Sequence, residues 1–211
     1  MKIMYSIGVL ALFSFCCHGQ GELSNPTAVL KNIIATYQDH EGYDKNQYPL
    51  GLYTKEYYSK EADFARSLRK ALADVSIEKL SENDMISYEL LDFELRDQID
   101  FYEFERYLNP LLSDSGFHSS LTYHVRPLLT YDQVKKYLNK LNALPEFVDQ
   151  HFVNLREGLK KGVSQPKVIF EGYESTYNDH IVADFQDSYY YSPFKNLPNG
   201  LTKAQQDSVL K

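Results

Sequence analysis

Beyond position 17 the sequence contains no cysteine; Cys16 and Cys17 stand side by side near the N-terminus. Residues 18–211 can therefore form no disulfide and offer no thiolate to a metal or to nucleophilic chemistry. Tryptophan is absent. The 10 glycines are scattered singly, so no glycine-rich loop is available to cradle a phosphate. There is no long basic block and the formal net charge is −7, which argues against a nucleic-acid partner. A zinc peptidase helix needs HExxH, with two imidazoles on one face and a glutamate to activate water. His40 and Glu41 begin such a pattern, but position 44 is Asp, so the motif is missing. A GxSxG nucleophile elbow is missing too.

What is present is a globular composition. Hydrophobic residues make up 43% of the 211 and charged residues 24%, enough for one domain with a real core or for part of a larger one. Aromatic content rests on 18 Tyr and 12 Phe. Tyrosine joins an apolar body to a polar tip, which suits half-buried helix faces and clefts.

The first 19 residues read as a leader. Lys2 is a positive n-region, and residues 3–15 (IMYSIGVLALFSF) form an apolar run too short for a membrane span. Cleavage after Gly19 would make residues 1–19 a signal peptide and leave Gln20 as the new N-terminus. The alternative is a lipoprotein leader ending at Cys16 or Cys17, which would tether the protein to a membrane; a buried N-terminal helix is the plain structural reading. Export to the periplasm or medium is the expectation. Loss of Lys2 leaves 21 basic against 29 acidic side chains, or −8.

From residue 20 onward, helical periodicity dominates, and the expected class is all-α, an antiparallel helical array. Asn25 and Pro26 open a helix carrying Leu30, Ile33 and Tyr37. Residues 41–58 read as an aromatic loop, followed by a helix with Phe64, Ala65, Leu68 and Leu72 on one face. Ser81 and Asp84 form a capping-box pattern that opens a long helix over 82–107, with Leu91, Leu95 and Ile99 in its stripe. Residues 111–129 lack a clean period. Thr130 and Gln133 cap the next helix, which Leu144 and Pro145 interrupt; a further helix then carries Phe147, Val148, Phe152, Leu155 and Leu159. After Pro166, the spacing of Ile169, Tyr173, Tyr177, Ile181 and Phe185 predicts another helix, then a loop over 188–200 and a last helix capped by Thr202. The end of the sequence, inside an apolar helical pattern, is what a cut sequence would show.

Several residues are candidates for chemistry. His180 and Asp184, with Asp179 beside them, share a helix face if that helix is continuous; they would hold a metal or form a solvated ion pair. His118 and His124 lie in the irregular segment, where loops place functional groups, although a packed histidine bonded to backbone needs no function. Glu171 and Glu174 have acid–base potential or are surface charges. Residues 154–167 (NLREGLKKGVSQPK) carry Arg156, Lys160, Lys161 and Lys167. The cations suit a helix C-terminus without any ligand, with Gly162 as the left-handed C′ residue and Pro166 starting the next helix; a carboxylate- or phosphate-binding role is the functional alternative.

The order YPLGLY (48–53), LSENDMISYELLDFEL (80–95), GFHSSL (116–121), the run 128–173 that includes YLNKLNALPEFVDQ and LREGLKKGVSQPKVI, and SPFKNLP (192–198) resembles the N-terminal part of the bacterial domain-of-unknown-function family 885. The resemblance implies an exported or lipid-anchored helical protein, similar to zinc metallopeptidases of the carboxypeptidase Taq and thimet-oligopeptidase kind. It implies zinc and a peptide-like substrate for the intact protein only. The HExxPGHH-type zinc segment of the family lies far C-terminal of the matched region, so no catalytic or metal residue carries over here.

Residues 20–211 are thus expected to be the N-terminal helical region of a larger metallopeptidase-like fold, inactive alone, with no cofactor in this chain. By analogy, His118, His124 and Arg126 are substrate-channel candidates, and helix faces left bare would self-associate. The alternative is a standalone exported helical binding or scaffold module without enzymatic activity.

Overall fold

The computed structural model describes residues 25–111, 116–178 and 180–209. The leader reading of residues 1–19 lies outside them. Among the described residues there are eight α-helices and no strand, an all-α fold. One isolated antiparallel bridge pairs Leu111 with Gly116.

The first three helices build the main core: α1 (Pro26–Gln38), α2 (Lys55–Ala73) and α3 (Glu82–Glu103). Each begins at a side-chain cap that satisfies an orphan amide. The Asn25 side chain accepts from the Thr27 amide, Thr54 from Tyr57, and Ser81 from Asp84. Leu30 and Ile33 of α1, Ala65, Leu68 and Leu72 of α2, and Leu91, Leu95 and Ile99 of α3 close together, with Val75 beneath. Asp84 ties two helix starts: its Oδ2 accepts from Thr27 Oγ1 and from Ser81 Oγ, both at 2.8 Å.

Two boundaries differ from the sequence reading. Residues 55–58, read as loop, are the first turn of α2, because Thr54 caps the helix through the Tyr57 amide, well before the apolar stripe begins at Phe64. The long helix stops at Glu103 rather than 107. Glu105 takes a left-handed conformation (φ 51°), and a 3-10 turn over Arg106–Leu108 redirects the chain.

The rest of the chain folds around two smaller cores. Helix α4 (Phe117–Ser120) and a 3-10 turn (Leu121–His124) give the aperiodic segment its only regular structure among the described residues. Helices α5 (Tyr131–Asn142) and α6 (Leu144–Lys160) meet at Ala143, with Pro145 in the first turn of α6. Val134 and Tyr137 of α5 pack on Leu128 and Phe194, so the expected 188–200 loop contains a 3-10 segment (Tyr189–Asn196) anchored by buried Pro193 and Phe194. Phe147 of α6 packs with Leu50 and Leu121.

The buried face of α6 is only partly the predicted one: Phe147 and Val148 pack into a core as expected, but the face then turns away from Phe152 and Leu159. Phe147, His151, Asn154 and Gly158 point inward, while Phe152 and Leu159 are exposed. The corner that follows is a Schellman motif: Val163 N–H donates to the Gly158 carbonyl (2.8 Å) and Gly162 N–H to that of Leu159 (3.1 Å), with Gly162 at φ 75°. Pro166 precedes a 3-10 turn (Lys167–Phe170) rather than an α-helix. The continuous helix expected through Phe185 does not form: Gly172 turns left-handed at φ 76°, and only the short α7 (Ser175–Asn178) follows. Helix α8 (Lys203–Val209) starts at the expected cap, with Thr202 Oγ1 accepting from the Gln205 amide.

Candidate functional site

Tyr53, which lies just before the α2 cap, is held at three points. Two α6 side chains one helical turn apart hold both of its main-chain groups. Its N–H donates to Gln150 Oε1 (2.6 Å), and its carbonyl accepts from Asn154 Nδ2 (2.8 Å). The Tyr53 hydroxyl donates to the Leu50 carbonyl (3.0 Å). The ring is thereby fixed between Phe147 (5.3 Å, edge-on) and His151 (4.3 Å).

His151 sits inside an aromatic cage. Its ring stacks on Phe117 at 4.4 Å and 16°, and meets Phe147 edge-on at 4.6 Å. The residue is 4% exposed, and neither ring nitrogen has a hydrogen-bond partner among the described residues. Burial pushes its pKa down to about 4, so the imidazole is neutral near pH 7. The neutral ring keeps one N–H donor and one lone pair, both buried within the cage.

Tyr53 separates two clefts. On the His151 side, a cleft of about 590 Å³ is lined by Tyr53, Phe117, Tyr123 and Phe147, with Ser119, Ser120 and Thr122 adding hydroxyls. Those hydroxyls donate back to the carbonyls of Gly116, Phe117 and Ser119, which leaves the Ser120 and Thr122 oxygens as acceptors, while the Ser119 oxygen also accepts from the Gly116 amide. On the other side, a cleft of about 520 Å³ runs between the start of α2 and the end of α6, over Tyr107, Leu108 and Val153. Its charges are largely paired internally. Lys161 donates to Glu105, Lys160 lies 3.6 Å from Glu157, and the Arg156 guanidinium sits over Phe152. The cations of the 154–167 stretch thus serve a helix end and its neighbours.

The substrate-channel candidates are dispersed. His118 Nε2 bonds Thr176 Oγ1 (2.9 Å) and its ring neighbours Tyr173. Burial and then the charge of His180 hold its pKa below the usual histidine range. His124 Nδ1 bonds Lys140 Nζ (3.0 Å), and its pKa is lowered by burial, Lys140 and Arg126. Arg126 is exposed and donates to the Tyr123 carbonyl. The 116–126 segment does form one wall of the His151 cleft, but through Phe117, the hydroxyls and Tyr123.

The other candidates lose their geometric basis. His180 and Asp184 are not on a helix: Asp184 caps a 3-10 turn through the Gln186 amide, and the His180 ring lies against Tyr190. Asp179 lies outside the described residues. Glu171 and Glu174 flank the Gly172 turn and are exposed. His40 bonds buried Glu61. Among the described residues no three His, Cys, Asp or Glu side chains are grouped to hold a metal. These residues do not fit zinc, which needs three or four such ligands together.

Sequence reasoning missed His151. The available signal was its place four residues after Phe147, on an apolar helix face that a polar residue enters only at a cost.

The family described as "Bacterial protein of unknown function (DUF885)" matches residues 34–211. No curated protein and no solved structure matches the chain. With a match across most of its length, the chain belongs to the DUF885 family of bacterial proteins.

Proposed function

We propose that these helices are the substrate-binding wall of an exported, zinc-peptidase-like protein, and that they supply no catalytic group themselves. The observation that carries this reading is the His151 cleft. The segment nominated for substrate contact, 116–126, meets α6 there, and the aromatic lining beside hydroxyl acceptors and a neutral imidazole suits an apolar or aromatic peptide side chain. His118, His124 and Arg126 then flank the wall rather than form it. Export through a cleaved leader, or tethering through a lipidated Cys16 or Cys17, belongs to the same proposal.

Self-association is part of it as well. Ile86, Leu90 and Phe93 recur along α3 on the side opposite its core stripe and are 52%, 61% and 58% exposed, a face available to another helix.

The test is calorimetric titration of the full chain with acetyl-Ala-Phe-Ala-amide, beside a hydrolysis assay with added zinc. The expected results are saturable binding that Phe117→Ala weakens at least about fivefold, and no chelator-sensitive hydrolysis. Absence of binding by folded protein would overturn the wall. Rapid hydrolysis abolished by a chelator would overturn the claim that no catalytic group is present.

A further inference from the structure

A second cavity, apart from the His151 cleft and independent of the peptide-wall reading, lies where the end of α1 meets α2 and α3. Its volume is about 270 Å³. Tyr37, Tyr57, Tyr58 and Phe101 give it aromatic walls, Glu61, Glu94 and Asp97 give it carboxylates, and among the described residues no lysine or arginine lines it. Glu61 is only 8% exposed. Its Oε1 pairs with His40 Nε2 (3.0 Å), and its Oε2 accepts from Gln98 Nε2 (3.2 Å). With its amide nitrogen so committed, Gln98 turns a buried carbonyl oxygen, Oε1, to no partner among the described residues. Glu94 has no ion pair among the described residues.

We propose that this cavity binds an organic cation, an ammonium or guanidinium head group carried on a flexible chain. Aromatic faces attract cations through the ring quadrupole, and carboxylates around a partly enclosed space add to that field. The carboxylates are too widely spread to ligate a bare ion, since no metal-sized grouping exists among the described residues; a polyatomic cation spans such a spacing. The fields of Glu94 and Glu61 reach the same space: both raise the Tyr37 pKa, after burial, and Glu61 helps burial push Tyr57 up to about 12.

The rim already holds one such group. The Arg106 guanidinium lies 5.1 Å from the Phe101 ring centroid and donates to Asp97 Oδ1 at 2.7 Å. Phe101 and Asp97 thus bind a guanidinium from this chain, while Glu94, Tyr37 and Tyr57 remain for an incoming one.

The chemistry has two sources, a free diamine or a basic side chain in a peptide. Calorimetry on the full chain separates them with cadaverine, agmatine, acetyl-Ala-Lys-Ala-amide and its uncharged norleucine analogue. The expected result is saturable binding of the cationic probes, none of the norleucine peptide, and weakening of about fivefold or more in Glu94→Gln and Glu61→Gln. Both variants keep the side-chain shape, and Glu94 is exposed, so Glu94→Gln leaves the fold intact by circular dichroism. Equal binding of cadaverine and the lysine peptide assigns recognition to the head group alone; preference for the peptide assigns it to a basic side chain. Failure of every cationic probe to bind folded protein, binding unchanged in Glu94→Gln, or displacement of the probes by stoichiometric calcium or zinc would each overturn the assignment.

Discussion

Gly158 of α6 rests against the main-chain carbonyl of Leu108: a Cβ on this glycine would lie 2.7 Å from that oxygen and 3.3 Å from the Leu108 Cβ. In an exposed helix, Gly→Ala stabilises by up to about 1 kcal/mol. Here the sign reverses, because the clash is with the backbone of buried Leu108 rather than with the end of a flexible side chain. Gly158→Ala is expected to cost about 1–3 kcal/mol, read from the urea midpoint. An unchanged or higher midpoint would show that α6 can lift from the 106–108 turn without loss.

Gly162 makes the contrasting case. Among the described residues nothing lies within 4 Å of where its Cβ would stand, so its backbone conformation is what resists substitution. Gly162→Val is expected to cost about 1 kcal/mol or more, because a branched residue is forced to positive φ. Gly162→Asn should cost less, since Asn tolerates that region. Equal melting temperatures for the two variants would mean that the Schellman geometry does not hold the corner.

The caged imidazole sets a pH dependence. His151 titrates near 4 in the folded protein against an ordinary value of 6.5. Between those values the unfolded chain binds the extra proton, so stability rises with pH across that window and falls as the solution is acidified through it. His151→Phe keeps a ring against Phe117 and removes two unpartnered nitrogens. It is expected to flatten the dependence and to stabilise by about 1 kcal/mol near neutrality. Thermal melts at several pH values would check this; a wild-type slope retained in the variant would place the titration elsewhere.

Asp84 acts at lower pH. Hydrogen bonds from Ser81 and then Thr27 hold its carboxyl below the usual carboxylate range. Its contribution is therefore present above the ordinary carboxylate pKa and lost as pH falls through the folded value. Asp84→Asn should lower the melting temperature at neutral pH and have little effect in strong acid. A penalty independent of pH would indicate a packing role instead.

Local rules carried much of the fold. Asn25, Ser81, Thr130 and Thr202 each cap the helix that the sequence assigned to them, because capping is decided within three or four residues. Gly162 likewise follows from a local requirement. The errors came where distant contacts decide. Apolar periodicity turned the Phe152 and Leu159 side of α6 inward, but Asn154 is buried because it satisfies the Tyr53 carbonyl 101 positions away. The Gly158 face is buried because it can approach Leu108 closely. The spacing from Ile169 to Phe185 looked helical, and the left-handed turn at Gly172 ends it. The candidate site was legible only as a segment: 116–126 reaches a cleft, yet its caged histidine belongs to another helix and carried no motif.

The hold of α6 on Tyr53 also orders assembly in time. Both bonds close loops of about a hundred residues, with separations of 97 and 101, whereas α2 and α3 are adjacent in the chain and pack together directly. Short loops close at lower entropic cost and earlier. The first three helices can therefore assemble while the Tyr53 segment is still unfixed, and both clefts take shape only when α6 arrives. In pulsed hydrogen exchange during refolding, the Tyr53 amide should gain protection after those of Leu68 and Leu95.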